Sequence, residues 1–247
     1  MTGSQLLAVA VAMLFGALGG ALAPRVVAAL PEPAPEEGAV EADPGVTAAH
    51  VTEQKIAYSQ LAARPHLALR SALAAAVVCG LVAAQLDATA GLPMWIYLGV
   101  VGVILTYVDW RTRLLPTRLI APSYAVVGVL ALLASALSGD WTSLVRAVAG
   151  WAIAGGLFFL LWFIYPKGMG YGDVRLSGIL GTALGWLGWA ELVVGVYAGF
   201  VLGAVGGGVL ALLRVVDRKR YPFGPFMLLG ALVGVLVGPT FGAWYAG

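Results

Sequence analysis

Eight apolar runs, separated by short polar or charged stretches, make up most of the chain. They cover residues 5–23, 68–86, 93–108, 119–138, 144–165, 174–189, 191–213 and 225–245. Most of them are close to the roughly 20 residues that an α-helix needs to cross the hydrocarbon core of a bilayer. The pattern predicts an all-α polytopic membrane protein with about eight transmembrane helices.

Two features of this pattern allow other interpretations. The sixth and seventh runs are separated only by a short turn near Trp189, so a seven-helix arrangement is an alternative. The first run ends in Ala21-Leu22-Ala23, as a cleavable signal peptide can, but no basic residue precedes it and Arg25 follows it. We therefore expect a first helix that is retained.

Composition agrees with a membrane protein. The chain of 247 residues is 61% hydrophobic and 11% charged, whereas soluble domains carry about 25% charged residues. Cys79 is the only cysteine, which excludes an intrachain disulfide and a cysteine-rich zinc site. We expect membrane lipid, and no nucleic acid or metal, as a partner of this chain.

The basic residues predict the orientation in the membrane. With eight helices, all but one of the fourteen Lys and Arg residues fall on the same side: Arg25, Lys55, Arg64, Arg70, Arg111, Arg113, Arg118, Lys167, Arg175, Arg214, Arg218, Lys219 and Arg220. Only Arg146 falls on the other side. Since basic residues concentrate in cytoplasmic loops, we expect both termini outside. A seven-helix arrangement would move the Arg214–Arg220 cluster outside.

The segment after the first helix differs in character from the rest. It is rich in Pro and in acidic residues, a composition that disfavours a packed core. We expect residues 31–48 to be disordered and residues 49–64 to form a short interfacial helix. The predicted organisation is a first helix over 1–23, a cytoplasmic loop over 24–66 and a seven-helix membrane domain over 67–247.

Glycines recur every four residues in three of the predicted helices, with Gly16 and Gly20 in the first run. The others are Gly195, Gly199, Gly203 and Gly207 in the seventh run, and Gly230, Gly234 and Gly238 in the eighth. Small residues at this spacing let helix backbones approach closely in lipid, so we predict tight helix packing there.

Two aspartates are the main candidates for chemistry. Asp109 ends the third apolar run and Asp173 begins the sixth, so the predicted topology puts both at inner helix ends. Carboxylates in a membrane body are costly and mark functional sites. Two adjacent carboxylates repel each other's charge, so one can hold a proton while the other is ionised. The ionised acid can then activate water and the protonated one can donate to the developing oxyanion.

Glycines and arginines surround these acids. Gly168, Gly170 and Gly172 precede Asp173, and glycine lets a backbone turn sharply and a peptide approach. A substrate held as an added strand would use main-chain hydrogen bonds. Asp173 would also suit a simple helix cap. Arg111 and Arg113 serve either as topology anchors or as partners for an acidic group.

Three stretches together resemble the type IV prepilin peptidases, membrane aspartyl proteases with a Gly-x-Gly-Asp motif. Asp109-Trp110-Arg111-Thr112-Arg113-Leu114-Leu115-Pro116 resembles the first aspartate motif, with Thr117 where the family often has Asn. Gly170-Tyr171-Gly172-Asp173-Val174-Arg175 resembles the second, with Arg175 where Lys is common. Tyr221-Pro222-Phe223-Gly224-Pro225-Phe226 resembles the Pro-Phe-Gly-Pro segment before the last helix.

The resemblance implies an aspartic endopeptidase with Asp109 and Asp173 as its catalytic pair. It implies cleavage of the basic leader of prepilin or pseudopilin precursors at the cytoplasmic face of the bacterial inner membrane, beside the pilus or type II secretion machinery. It places Gly168, Gly170, Gly172, Arg111, Arg113, Pro116 and Arg175 near the substrate. The peptidase reaction needs no cofactor.

One departure from the family leaves a second activity open. Many relatives also methylate the new amino terminus with S-adenosylmethionine, and longer relatives carry paired Cys-x-x-Cys motifs in the first cytoplasmic loop that resemble a zinc site. Residues 24–66 contain no cysteine. Zinc is therefore not expected, and S-adenosylmethionine remains a candidate cofactor.

Three other functions fit parts of the pattern. A transporter or channel would use membrane carboxylates in an ion path, but it would place them at the midplane. An assembly scaffold would leave the two aspartate motifs unexplained. A presenilin-like intramembrane protease acting on other substrates would use the same two acids.

Overall fold

The computed structural model of this chain describes residues 2–32, 56–213 and 221–246. These residues form helices and connecting turns, and no strand occurs among them. The helices are α1 (Gly3–Ala21), α2 (Ala23–Ala28), α3 (Tyr58–Ala62), α4 (Leu67–Leu86), α5 (Leu92–Thr112), α6 (Thr117–Ser138), α7 (Trp141–Ile164), α8 (Tyr171–Leu187), α9 (Trp189–Leu212) and α10 (Gly224–Ala246).

Seven helical segments are long and apolar enough to cross a membrane, among the described residues. The first of them joins α1 and α2, and the others lie in α4, α5, α6, α7, α9 and α10. Their outer faces carry large exposed apolar side chains such as Leu7, Phe15, Val145 and Phe163. Such faces suit contact with lipid, and the all-α polytopic membrane fold is confirmed.

The sixth predicted helix, α8, is shorter and more deeply buried than the others. Its 17 residues span about 26 Å at 1.5 Å per residue, less than the roughly 30 Å of a hydrocarbon core. Leu184 on α8 faces Gly195 on α9, a contact that one continuous helix could not make. The chain therefore reverses direction near Gly188, and the two runs are separate helices.

Three antiparallel helix pairs pack through glycines. In α9 and α10, a side-chain carbon at Gly230 would lie 2.6 Å from the Gly195 carbonyl oxygen, and one at Gly234 would lie 2.8 Å from Gly195 Cα. The predicted tight packing of these glycine-rich helices is confirmed.

The other two glycine-packed pairs are α1 with α4 and α7 with α8. A carbon added at Gly16 would lie 2.6 Å from the Ala75 carbonyl oxygen of α4. One added at Gly150 on α7 would lie 3.1 Å from Gly185 Cα on α8. The α7–α8 contact was not predicted, although Gly181 and Gly185 of α8 have the same four-residue spacing.

The segment around α2 and α3 packs against one end of α5. Its apolar cluster contains Ala23, Val27, Leu30, Tyr58, Leu61, Ile104 and Val108. The Glu32 carboxylate accepts hydrogen bonds from the backbone N–H groups of Tyr58 (2.7 Å) and Ser59 (3.0 Å). The helix predicted over 49–64 is thus confined, within the described residues, to Tyr58–Ala62, and it packs on protein.

Several predicted features lie outside the described residues. They are residues 33–48 of the predicted disordered segment, residues 49–55 of the predicted interfacial helix and the basic cluster Arg214–Arg220. The orientation expected from the basic residues and the predicted domain limits at 23 and 66 stay predictions.

Candidate active site

Asp109 lies in the last turn of α5 and is buried, with 4% of its surface exposed. Its Oδ2 accepts a hydrogen bond from the backbone N–H of Gly224, at 3.0 Å. The helix ends at Thr112 because Arg113 adopts a left-handed conformation with φ 55°. A backbone donor 115 residues away in sequence therefore holds this carboxylate.

Asp173 occupies the third position of α8 and is 7% exposed. Its Oδ2 accepts the backbone N–H of Gly170, the residue that caps the helix, at 3.2 Å. This is the reciprocal half of a capping box, and a glycine has no side chain to supply the other half. Asp173 caps its own helix, as the simpler interpretation predicted, and yet it is buried.

Leu115, a residue of the first aspartate motif, packs against the second motif and against Gly224. A side-chain carbon at Gly172 would lie 2.7 Å from Leu115 Cβ, and one at Gly224 would lie 3.3 Å from Leu115 Cδ2 and 2.7 Å from Asp109 Oδ2. Asp109 and Asp173 are also close enough for the charge of the first to act on the second. The structure thus brings the two predicted acids together at one end of the helix bundle.

Aromatic packing fixes the segment that holds Gly224. The Phe223 ring packs against Phe200 and Phe158, at centroid distances of 5.8 Å and 6.1 Å. Phe223 also fills the space beside Gly203 of α9. The sequence interpretation gave Gly224 no role, although the Pro-Phe-Gly-Pro resemblance was the signal that could have found it.

Arg175 is held by neighbouring helices. Its guanidinium donates a hydrogen bond to the Thr117 hydroxyl at the start of α6 and lies 4.7 Å from the centre of the Tyr171 ring. Its carbonyl oxygen accepts the Tyr124 hydroxyl at 2.6 Å. These contacts join the second aspartate motif to α6, the helix that follows the first aspartate motif. A contact between Arg175 and substrate stays a prediction.

The remaining residues of the first motif lie on the same end of the bundle. Arg111 and Arg113 are exposed, and no hydrogen bond of their side chains occurs within residues 2–32, 56–213 and 221–246. Pro116 ends the turn, and its carbonyl oxygen accepts the N–H groups of Leu119 and Ile120 as α6 begins. Their predicted roles beside substrate are untested by this geometry.

The three glycines before Asp173 have different surroundings. Gly168 lies in a turn, where its N–H donates to the Tyr165 carbonyl at 3.0 Å. Gly170 is extended, with φ −72° and ψ 143°. Gly172 was expected in a loop but lies in the first turn of α8, where Leu115 fills the space that a side chain would need. Substrate contact by these glycines stays a prediction.

The residues present do not fit a thiolate zinc site. Cys79, the single cysteine of the sequence, is buried in α4 beside Gly99 of α5. No group of three His, Cys, Asp or Glu side chains that could hold a metal ion occurs in the part of the chain that the structure describes.

A sequence model of the type IV leader peptidase family matches residues 96–237, which is more than half of the chain and includes both aspartates and Gly224. The chain belongs to the type IV leader peptidase family. No solved structure matches this chain.

Named relatives agree with this family. A prepilin leader peptidase/N-methyltransferase of Aeromonas hydrophila is 34% identical over 152 residues, which cover 58% of this chain and 49% of that protein. One from Aeromonas salmonicida is 35% identical over 152 residues, covering 58% of this chain and 48% of the relative. One from Pseudomonas putida is 32% identical over 186 residues, which cover 70% of this chain and 58% of that protein. The chain thus spans about half the length of the curated Aeromonas relatives that it matches.

Proposed function

We propose that this chain is an aspartic endopeptidase that removes the basic leader of type IV prepilin or pseudopilin precursors. The observation that carries the proposal is the pairing of Asp109 and Asp173. Both are buried, each accepts one backbone N–H, and Leu115 packs beside both motifs. The matched relatives carry the name prepilin leader peptidase/N-methyltransferase.

The chemistry follows from two neighbouring carboxyl groups that share one proton. The ionised acid removes a proton from water as the water attacks the scissile carbonyl, and the protonated acid donates to the oxyanion that forms. The pair titrates as a unit, so neither ionisation belongs to one residue. Either aspartate can take either part in this scheme.

The membrane setting supports a substrate that enters from one side. Both acids lie at helix ends on the same end of the bundle, where Arg111, Arg113 and Arg175 also lie. The proposed orientation puts this end at the cytoplasmic face of the bacterial inner membrane, with both termini outside. The pilus or type II secretion machinery would then receive the product, and membrane lipid would surround the bundle.

The transporter alternative is not favoured. The family match points to peptidases, and the two acids lie at helix ends, whereas transporter sites lie near the bilayer midplane. A presenilin-like protease with other substrates differs only in what it cleaves, so the choice of substrate in the assay separates the two.

The test compares single variants of the purified full chain in lipid nanodiscs. Asp109→Asn and Asp173→Asn keep the side-chain shape but remove the carboxyl group. Each alone is expected to abolish cleavage of a prepilin, followed by mass spectrometry of the new amino terminus, while thermal unfolding stays that of a folded protein. Normal cleavage by both variants would refute the proposal.

The second activity in the relatives' names needs its own assay. We propose methyl transfer from S-adenosylmethionine to the new amino terminus as an activity that the peptidase does not depend on. Labelled S-adenosylmethionine supplied with cleaved substrate would show a product heavier by one methyl group. An unmethylated product in that assay restricts the proposal to cleavage.

A further inference from the structure

The short helix α3 packs against the end of α5 that carries Asp109, although the two helices are far apart in sequence. Tyr58, its first residue, is 3% exposed and packs in the apolar cluster that includes Val108, the neighbour of Asp109. The Tyr107 hydroxyl donates to the Leu61 carbonyl oxygen at 3.0 Å. These contacts fix α3 on α5, and the N–H groups of Tyr58 and Ser59 also donate to the Glu32 carboxylate.

The polar end of Tyr58 lies beside Thr112. The two side chains are polar neighbours, and Asp109 is close enough for its charge to act on Tyr58. Burial, before any other cause, raises the pKa of Tyr58, so the hydroxyl keeps its proton and can act as a donor. The Thr112 hydroxyl donates to the Val108 carbonyl oxygen at 2.9 Å, so towards Tyr58 it can offer only its oxygen.

Thr112 also shapes the turn that follows α5. Its hydroxyl oxygen accepts the backbone N–H of Leu114 at 3.3 Å, and Leu115 comes next in the chain. Leu115 contacts the positions of Gly172 and Gly224, the glycines beside Asp173 and Asp109. Contacts therefore lead from Tyr58 through Thr112 to Leu115, the residue that packs beside both aspartates.

We propose that Tyr58 is a positioning residue for the Asp109–Asp173 pair, acting through Thr112 and the turn that carries Leu115. The role concerns geometry, because Tyr58 is buried in the apolar cluster of α3 and α5. Its kinetic consequence rests on the peptidase function proposed above, whereas its effect on the carboxyl groups does not.

The test removes one hydroxyl at a time from the contact between α3 and α5. Tyr58→Phe loses the group beside Thr112, and Tyr107→Phe, the matched control, loses only the bond to Leu61. Small displacements of reacting groups can cost up to about 100-fold in rate. We expect Tyr58→Phe to lower kcat about tenfold with KM within about twofold and to shift the pH–rate profile, and Tyr107→Phe to stay within about twofold of the parent.

Variants of Thr112 test whether Tyr58 acts through this residue. Thr112→Val should lower kcat as Tyr58→Phe does, and combining the two should add little, because both interrupt the same set of contacts. Thr112→Ser, which keeps the hydroxyl, should restore the parent rate. Equal effects of Tyr58→Phe and Tyr107→Phe, or fully additive effects of Tyr58→Phe and Thr112→Val, would overturn the proposal.

An infrared readout separates this proposal from the function itself. The carboxyl stretching bands of the pair can be assigned by their loss in Asp109→Asn and Asp173→Asn and followed through a pH titration without substrate. Tyr58→Phe should displace these bands, and Tyr107→Phe should leave them in place. If the parent chain cleaves no prepilin, the peptidase proposal fails. Bands that Tyr58→Phe leaves unmoved would refute the role of Tyr58.

Discussion

The Arg175 guanidinium donates a hydrogen bond to the Thr117 hydroxyl, so the second aspartate motif is joined to the residue that directly follows the first motif. The forked guanidinium reaches the hydroxyl from the neighbouring helix, so the contact links α8 with the start of α6. Arg175 gains a second partner in the Tyr171 ring, which a guanidinium stacks on better than an ammonium does.

This pairing predicts coupled substitutions. Thr117→Val and Arg175→Ala each remove one side of the bond, so the double variant should be less destabilised than the sum of the singles, by about 1 kcal/mol or less. Thermal unfolding of the four proteins in nanodiscs measures the coupling. If the destabilisations of the two single variants simply add in the double variant, the bond contributes nothing to stability. Many exposed polar pairs behave in this way.

Gly224→Ala should inactivate the protein while leaving it folded. The new methyl carbon would lie 2.7 Å from Asp109 Oδ2, so the carboxylate has to move away from its partner. A misplaced catalytic group can cost about 100-fold in rate. Prepilin cleavage measures the effect, and Gly128→Ala on α6, where a methyl group meets no atom within 4 Å, is the control. Parental activity in Gly224→Ala would contradict the site geometry.

Gly150→Ala should destabilise the pairing of α7 with α8. Its methyl group would meet the Gly181 backbone and lie 3.1 Å from Gly185 Cα, and overpacking of this kind costs about 1–3 kcal/mol. Gly156→Ala lies on the same helix with open space around it, so it should leave stability unchanged or raise it, because alanine favours helix. Denaturation in detergent compares the two, and equal stabilities would count against the packing.

Asp140→Ala should lower the melting temperature at neutral pH by removing the cap of α7. The Asp140 side chain accepts from the N–H groups of Thr142 and Ser143, and hydrogen bonds from the Ser143 and Thr142 hydroxyls lower its pKa to about 2. A lowered pKa means that the carboxylate stabilises the fold above its ordinary value near 3.9 and loses that effect as pH falls towards about 2.

The expected pH dependence separates the cap from general damage to the protein. The difference in melting temperature between the parent and Asp140→Ala should be full at pH 6 and should shrink between about pH 4 and pH 2. A difference that stays constant over this range would show that the charge of Asp140 does not act as the cap.

The limits of the helices were largely predictable, because most helices begin and end within a few residues of an apolar run. The fourth run, predicted over 119–138, forms Thr117–Ser138. Departures occur where polar chemistry sets the end of a helix. Helix α8 begins at Tyr171, before its apolar run at 174, because Asp173 accepts the Gly170 N–H. Helix α1 ends at Ala21, two residues before the predicted end of the first run, and α2 begins at Ala23 with Pro24 in its first turn.

The site was predictable only in part. Matching positions at helix ends were enough to expect Asp109 and Asp173 on one side of the membrane. The partners of these acids were not predictable, because a backbone N–H such as that of Gly224 has no side chain to mark it and lies 115 residues from Asp109. Tyr58 escaped notice for a related reason, since its neighbours in sequence suggested an interfacial helix.

The hydrogen bonds that the first two residues of α3 donate to Glu32 close the chain on itself. Glu32 and Tyr58 are in direct contact. The two ends of the stretch between them therefore lie side by side. Because the cost of closing a loop grows only slowly with its length, we expect insertions of different size in this stretch to leave both anchors in place. The same spot offers engineers a permissive place for a reporter or an affinity tag.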